Sequence, residues 1–283
     1  TNQAVWPTVD FRNTYVDPVF VVATLSYNGA DPSTVQGSNV TATSAQVGLV
    51  EWANANAHGA ADTIFYMVAE RGCHSIEMDD GSELDFCADN SIEYGLREQD
   101  GYTTYAAATD GASTSPFGTS PAIFANGVLN NLEREDGTTR VYDIDSIGFN
   151  WMHTDEYAPD DSMRRTDNQF HWIAVQKGSG LTSSGGSIQV LDAGSVDENP
   201  ITLNYPTAFA ETPFVMASTQ THVGYERERP YSVRVGDRSA GNGGTGGDGW
   251  DESSLTIALQ RHVGSAQVAE DVVVIAAKGV SAK

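Results

Sequence analysis

The chain has 283 residues, 38 of them acidic against 15 basic, for a formal net charge of −23. No stretch approaches the roughly 20 apolar residues of a membrane-spanning helix, and a surface this acidic excludes nucleic acid, which needs a basic face. The length accommodates two domains or three small ones, each with its own core.

Residues 19–36, VFVVATLSYNGADPSTVQ, read as a buried strand running into a polar turn. Extended backwards to YVDPVFVVAT (Tyr15–Thr24), the strand aligns without a gap to FGTSPAIFAN (Phe117–Asn126) and FAETPFVMAS (Phe209–Ser218). Each copy has an aromatic first, a proline soon after, an apolar run, and alanine in the ninth place: Ala23, Ala125 and Ala217. Downstream of each lies an apolar strand closed by a basic residue and glycine: IFYMVAERG, FHWIAVQKG and DVVVIAAKG. Between the two anchors runs a strand of period two, the mark of a sheet with one buried face. It places Val47 and Leu49, then Phe149 and Trp151, then Leu255, Ile257 and Leu259 on the inner side. An aromatic four residues ahead of the first anchor occurs in the first and third copies, Phe11 and Tyr205, and has no clear counterpart in the second.

These elements predict an all-β chain of three tandem antiparallel β-sandwich units, 1–76, 92–180 and 181–283, with a cysteine-bearing hairpin insert at 77–91. GSGLTSSGGS, Gly178–Ser187, reads as a flexible linker before the third unit. The aromatic-x-x-x-Pro strand FAETPFVMAS and the closing strand HWIAVQKG resemble the H-type lectin domain, a six-stranded antiparallel sandwich. Members of that family form homotrimers that bind N-acetylgalactosamine or related sugars. The resemblance therefore implies either a pseudo-threefold cluster built from one polypeptide or three beads in a row, and the sequence does not choose between them.

Candidate sites follow from residue chemistry. Trp52, Asn54 and His58 in EWANANAHGAADT, and His153, Asp155 and Tyr157 in WMHTDEYAPDD, combine aromatic faces with short hydrogen-bonding groups, as a sugar requires. The competing reading makes them solvated turn residues. Cys73 and Cys87 read as a disulfide closing a short hairpin in an extracellular context; two free thiols are the alternative, and only His74 beside them argues for zinc. Asp79, Asp80 and Asp85 could offer oxygens to calcium, although neighbouring carboxylates are expected from composition alone. No cofactor is required, with calcium the one candidate ion. Asn39 in Asn39-Val40-Thr41 is a glycosylation sequon. Catalytic signatures such as H-E-x-x-H or G-x-S-x-G do not occur, so an enzyme is not expected.

Only three basic residues are lysines. An acid-rich, lysine-poor surface resembles that of proteins from salt-loving microbes, in which carboxylates hold hydration and salt screens their repulsion. A calcium-loaded secreted protein is the alternative. A chain beginning at Thr1 without methionine reads as a mature form freed of a signal peptide. The expectation is thus a non-enzymatic protein outside the cell, on its surface or on a virion, that binds a cell-surface glycan or glycoprotein. The alternative is a self-assembling structural subunit, a spike, fibre or decoration protein of a virus or part of an extracellular filament, whose segment TNQAVWPTVDF pairs with a neighbouring sheet edge.

Overall fold

A computed structural model describes residues 6–26, 33–51, 63–94, 98–111, 114–129, 138–154, 168–222, 231–236, 249–261 and 269–280. Among them the chain is all-β, with one short 3₁₀ helix, Tyr105–Thr109. No described helix is long and apolar enough to cross a membrane. The first segment holds β1 (Thr8–Asp10), β2 (Pro18–Ser26), β3 (Ser33–Ser38), β4 (Ser44–Glu51) and β5 (Ile64–Glu70). The second holds β6 (Gly72–Glu77), β7 (Glu83–Tyr94), β8 (Glu98–Thr104), β9 (Ala122–Leu129), β10 (Thr138–Tyr142), β11 (Gly148–Thr154) and β12 (Asn168–Val175). The third holds β13 (Gly178–Leu181), β14 (Ser187–Val196), β15 (Ile201–Asn204), β16 (Phe214–Thr219), β17 (Tyr231–Val235), β18 (Ser254–Arg261) and β19 (Glu270–Lys278).

One pairing scheme recurs in the three segments. The anchor strand pairs antiparallel with the closing strand, β2 with β5, β9 with β12 and β16 with β19. The middle strand sits between its hairpin partner and an early strand, giving β1-β4-β3, β8-β11-β10 and β15-β18-β17. In the second and third segments a hairpin adds to the closing strand, β7 to β12 and β14 to β19. The period-two strands bury most of the residues their pattern selects: Val47, Phe149, Trp151, Leu255, Ile257 and Leu259 are all at most 3 % exposed, while Leu49 is half-buried against the first cluster. The gapless alignment of the alanines does not carry through to register. Ala125 stands opposite Trp172 and Ala217 opposite Val274, whereas Ala23 falls in the bulge between Val22 and Thr24.

Local geometry recurs as well. Before each middle strand, an oxygen of Thr41, Asp145 or Asp251 accepts the amide three residues on, at 3.0, 2.9 and 2.8 Å. Each of these residues also donates its own amide to the carbonyl of that same partner. The early aromatic missing from the second segment is Tyr105. Its amide reaches Ile147 O as that of Tyr205 reaches Ser253 O. Its ring meets Phe117 edge-on at 4.8 Å, as Tyr205 meets Phe209 at 5.0 Å. The 3₁₀ helix lies between the two rings in sequence and hides the spacing.

Two apolar clusters fill the first and second segments. One is built on Phe20, Val22 and Val47, the other on Tyr105, Phe149, Trp151 and Trp172. A larger one joins the third segment to the inner faces of the others, through Val19, Val21, Phe124 and Ile173. The segments also share sheets. β3 runs parallel to β9 through Gly37↔Val128, and β17 parallel to β2 through Arg234↔Leu25. Between the second and third segments, the Gln220 amide takes the Ile123 N–H at 2.9 Å and donates to Ile123 O at 2.8 Å, in place of a neighbouring strand.

Two sequence boundaries change. Gly178–Ser187 is not a linker. Gly178–Leu181 is strand, and its glycines mark close packing: a Cβ on Gly180 would meet Met78 Cε at 2.7 Å, and one on Gly186 would meet Gly279 O at 2.6 Å. The cysteine hairpin starts at Gly72 and runs to Tyr94. It pairs along β12 as part of the seven-stranded sheet, so boundaries at 76/77 and 91/92 cut through β6 and β7.

Candidate functional site at the loop-bearing end

In each segment the anchor and closing strands are antiparallel, so the connections leaving one and entering the other spring from the same end. Segments 27–32 and 52–62 flank Leu25↔Ile64; 130–137 and 155–167 flank the end at Val128↔Gln169; 223–230 and 262–268 flank the end at Thr219↔Val272. Trp52, Asn54, His58, Asp155 and Tyr157 belong to these connections and lie outside the described residues.

Described residues where the segments meet form a buried polar layer. His171 in β12, 1 % exposed, accepts the Phe20 N–H on Nδ1 at 3.0 Å. That bond leaves the proton on Nε2, which faces Gln169 Oε1 at 3.3 Å. Burial pushes its pKa down to about 3, so the imidazole is neutral. Asn126 Oδ1 takes the next outward amide of β2, Val22 N–H, at 2.9 Å. Two side chains of the second segment thereby satisfy a strand edge of the first.

Arg140 and Glu270, 5 % and 0 % exposed, pair across the second and third segments at 3.2 Å. The Thr221 hydroxyl donates to the other Glu270 oxygen at 2.6 Å. The His222 ring lies 5.8 Å from that of Tyr142, and its pKa is lowered by burial and then by the Arg140 charge. A buried arginine paired with carboxylate and hydroxyl fixes position. It offers no activated nucleophile, so its role is to join the second and third segments.

His153 lies in β11, opposite Thr139. It is 3 % exposed, with Nδ1 3.3 Å from Thr139 Oγ1. Of the six residues chosen for sugar contact, it is the one described, and it is buried in its sheet rather than displayed. Cys73 and Cys87 are directly opposed in β6 and β7 and form the disulfide. Asp79, Asp80 and Asp85 do not converge. Asp80 Oδ1 accepts from the Ser82 amide and hydroxyl, Asp85 Oδ1 from the Ser75 hydroxyl, and the Asp79 amide donates to Leu181 O. Among the described residues no group of three or more His, Cys, Asp or Glu is arranged to hold a metal. Asn39 is exposed with a positive φ of 47°, in the turn between β3 and β4, and its amide donates to Gln46 Oε1 at 2.6 Å.

The basic residue of each closing motif has a role that sequence reasoning missed. Arg71 Nε pairs with the buried Asp89 of β7 at 2.7 Å, and Lys177 Nζ with Asp192 of β14 at 2.7 Å. Each cation ties the end of one segment to the hairpin of the next. Lys278 pairs instead with Glu211, within its own segment, at 2.8 Å. The carboxylates of β7 and the single Asp192 of β14 were the available signal, but composition makes such carboxylates common. No family model, no curated protein and no solved structure matches the chain.

Proposed function

We propose that the chain is three copies of one sandwich unit, gathered as a pseudo-threefold cluster, acting as a non-enzymatic extracellular recognition protein. It binds surface glycans through the connections at one end. The observation that carries this reading is that in each of the three segments two connections adjoin the same end of the anchor and closing strand pair. A rigid scaffold with variable loops at one end is a general arrangement for recognition. The disulfide supports an oxidising location. The differing chemistry of 52–62 and 155–167 implies one or two sugar sites rather than three equal ones. A glycan array in molar salt tests the reading. Saturable binding that falls at least tenfold in Trp52→Ala or Tyr157→Ala is the expected result; a blank array with folded protein overturns it. The second reading, a structural subunit of a virion or filament, draws on a separate observation, the open edge of β5.

A further inference from the structure

The closing strands of the second and third segments are covered on their outer edge by β7 and β14, whereas among the described residues β5 is the edge of its sheet. Burial follows the same division. β12 and β19 are buried along most of their length, while Tyr66, Met67, Val68, Ala69 and Glu70 of β5 are all half-buried.

The hydrogen-bond phase of the edge can be worked out. Pro18 has no amide hydrogen, and the amides of Phe20 and Val22 go to His171 and Asn126. The residues of β2 that exchange bonds with β5 are therefore Val19 and Val21, opposite Ala69 and Met67. Tyr66 and Val68 turn their N–H and C=O groups to the open side, and among the described residues these groups have no partner.

Beside this edge lies a cavity of about 570 Å³. Its wall includes three pairs from the three closing strands: Met67 and Ala69, Ile173 and Val175, Ile275 and Ala277. Phe86 of β7 stands opposite Val175 and Ile188 of β14 opposite Ala277, and both line the cavity. No described residue stands opposite Ala69 on that side.

We propose that this edge is a docking site for a β-strand supplied by another polypeptide. The strand runs antiparallel to β5, bonds Tyr66 and Val68, and turns a large apolar side chain into the cavity opposite Ala69. Two internal precedents define the occupant: an extended strand with alternating apolar residues, as in Ile188-Gln189-Val190 of β14. β-augmentation of this kind combines main-chain bonds for affinity with a side-chain pocket for selection. The inference depends on the recurring strand pairing and not on glycan binding.

The test uses a fluorescently labelled synthetic peptide of residues 178–196, the β13–β14 hairpin, titrated into the intact protein at high salt, with a scrambled peptide as control. Saturable one-to-one binding, with slowed hydrogen exchange at the Tyr66 and Val68 amides, is the expected result. Val68→Pro removes one outward donor while leaving the β2 pairs, and should weaken binding at least tenfold. Ala69→Trp keeps the outward amides but plugs the cavity, and should do the same if Val68→Pro fails to fold. No saturable binding of the hairpin, or binding that neither variant weakens, overturns the proposal. Concentration-dependent dimerisation that protects the same two amides overturns it in favour of a second copy of this chain. Glycan binding need not change in any arm, so failure here is distinguishable from failure of the recognition reading.

Discussion

Lowering the pH from 7 to 5 should destabilise the wild-type chain more than a His171→Gln variant. His171 is buried and gives Nδ1 as acceptor to the Phe20 amide, so protonation would break that bond and place a charge in an apolar strand. Its folded pKa, about 3, lies below the ordinary value of 6.5. The folded state therefore binds fewer protons than the unfolded one. The contribution is complete above the unfolded pKa and is lost as pH falls from 6.5 towards 3. Each pH unit in that window costs about 1.4 kcal/mol, so the loss at pH 5 is about 2 kcal/mol. Glutamine keeps an acceptor for Phe20 but does not titrate. Urea unfolding at fixed high salt and pH 7, 6 and 5 measures both proteins, and effects of the carboxylates cancel in the difference. Parallel pH dependence of the two would refute the neutral, buried imidazole.

Further outcomes follow from other contacts. Arg71→Ala should cost about 3 kcal/mol in a denaturant melt, because it removes the cation from the carboxylate of Asp89, which is 0 % exposed and, among the described residues, keeps only the Ser91 amide and hydroxyl. Reduction, or Cys73→Ser with Cys87→Ser, should lower stability by about 3 kcal/mol, the value for a closed loop of this size; an unchanged midpoint would show that β12 alone holds β7. Arg140→Met and Glu270→Gln should each destabilise by several kcal/mol, on the order of 3–5, with the double variant costing less than their sum in a double-mutant cycle. Gly101→Val should destabilise the second segment, since its Cβ would sit 2.9 Å from the Trp151 indole; near-ultraviolet circular dichroism would report the displaced ring. If the acid-rich surface is a salt adaptation, the thermal midpoint should fall steadily as salt is dialysed away.

The strands were legible because their signal is local. Alternation put Phe149 and Trp151 inside, and the apolar runs at 19–25 and 272–277 became β2 and β19. Other features were illegible because equal geometry came from unequal residues or spacing. Thr41, Asp145 and Asp251 close the same turn, yet one is a hydroxyl and two are carboxylates. Tyr105 occupies the place of Tyr205 but is separated from its partner ring by a helical turn that the third segment lacks. Glycines at 178–186 read as flexibility, whereas Met78 and the Gly279 carbonyl occupy the space of the missing side chains of Gly180 and Gly186. The parallel contacts between segments extend over two residue pairs each and leave no periodic trace. Of the residues chosen for sugar contact, all but His153 lie outside the described residues. The polar layer came from strand residues, such as His171 and Glu270, whose neighbours arise only through the fold.

The central claim is that recognition resides in the connections at one end and that the strands only carry them. Replacing 52–62 and 155–167 with short Gly/Ser turns tests it most directly, with glycan binding and thermal midpoint measured on the same samples in molar salt. The account predicts saturable binding by the wild type, its loss in the shortened protein, and a midpoint that barely moves. Binding retained by the shortened protein would contradict it.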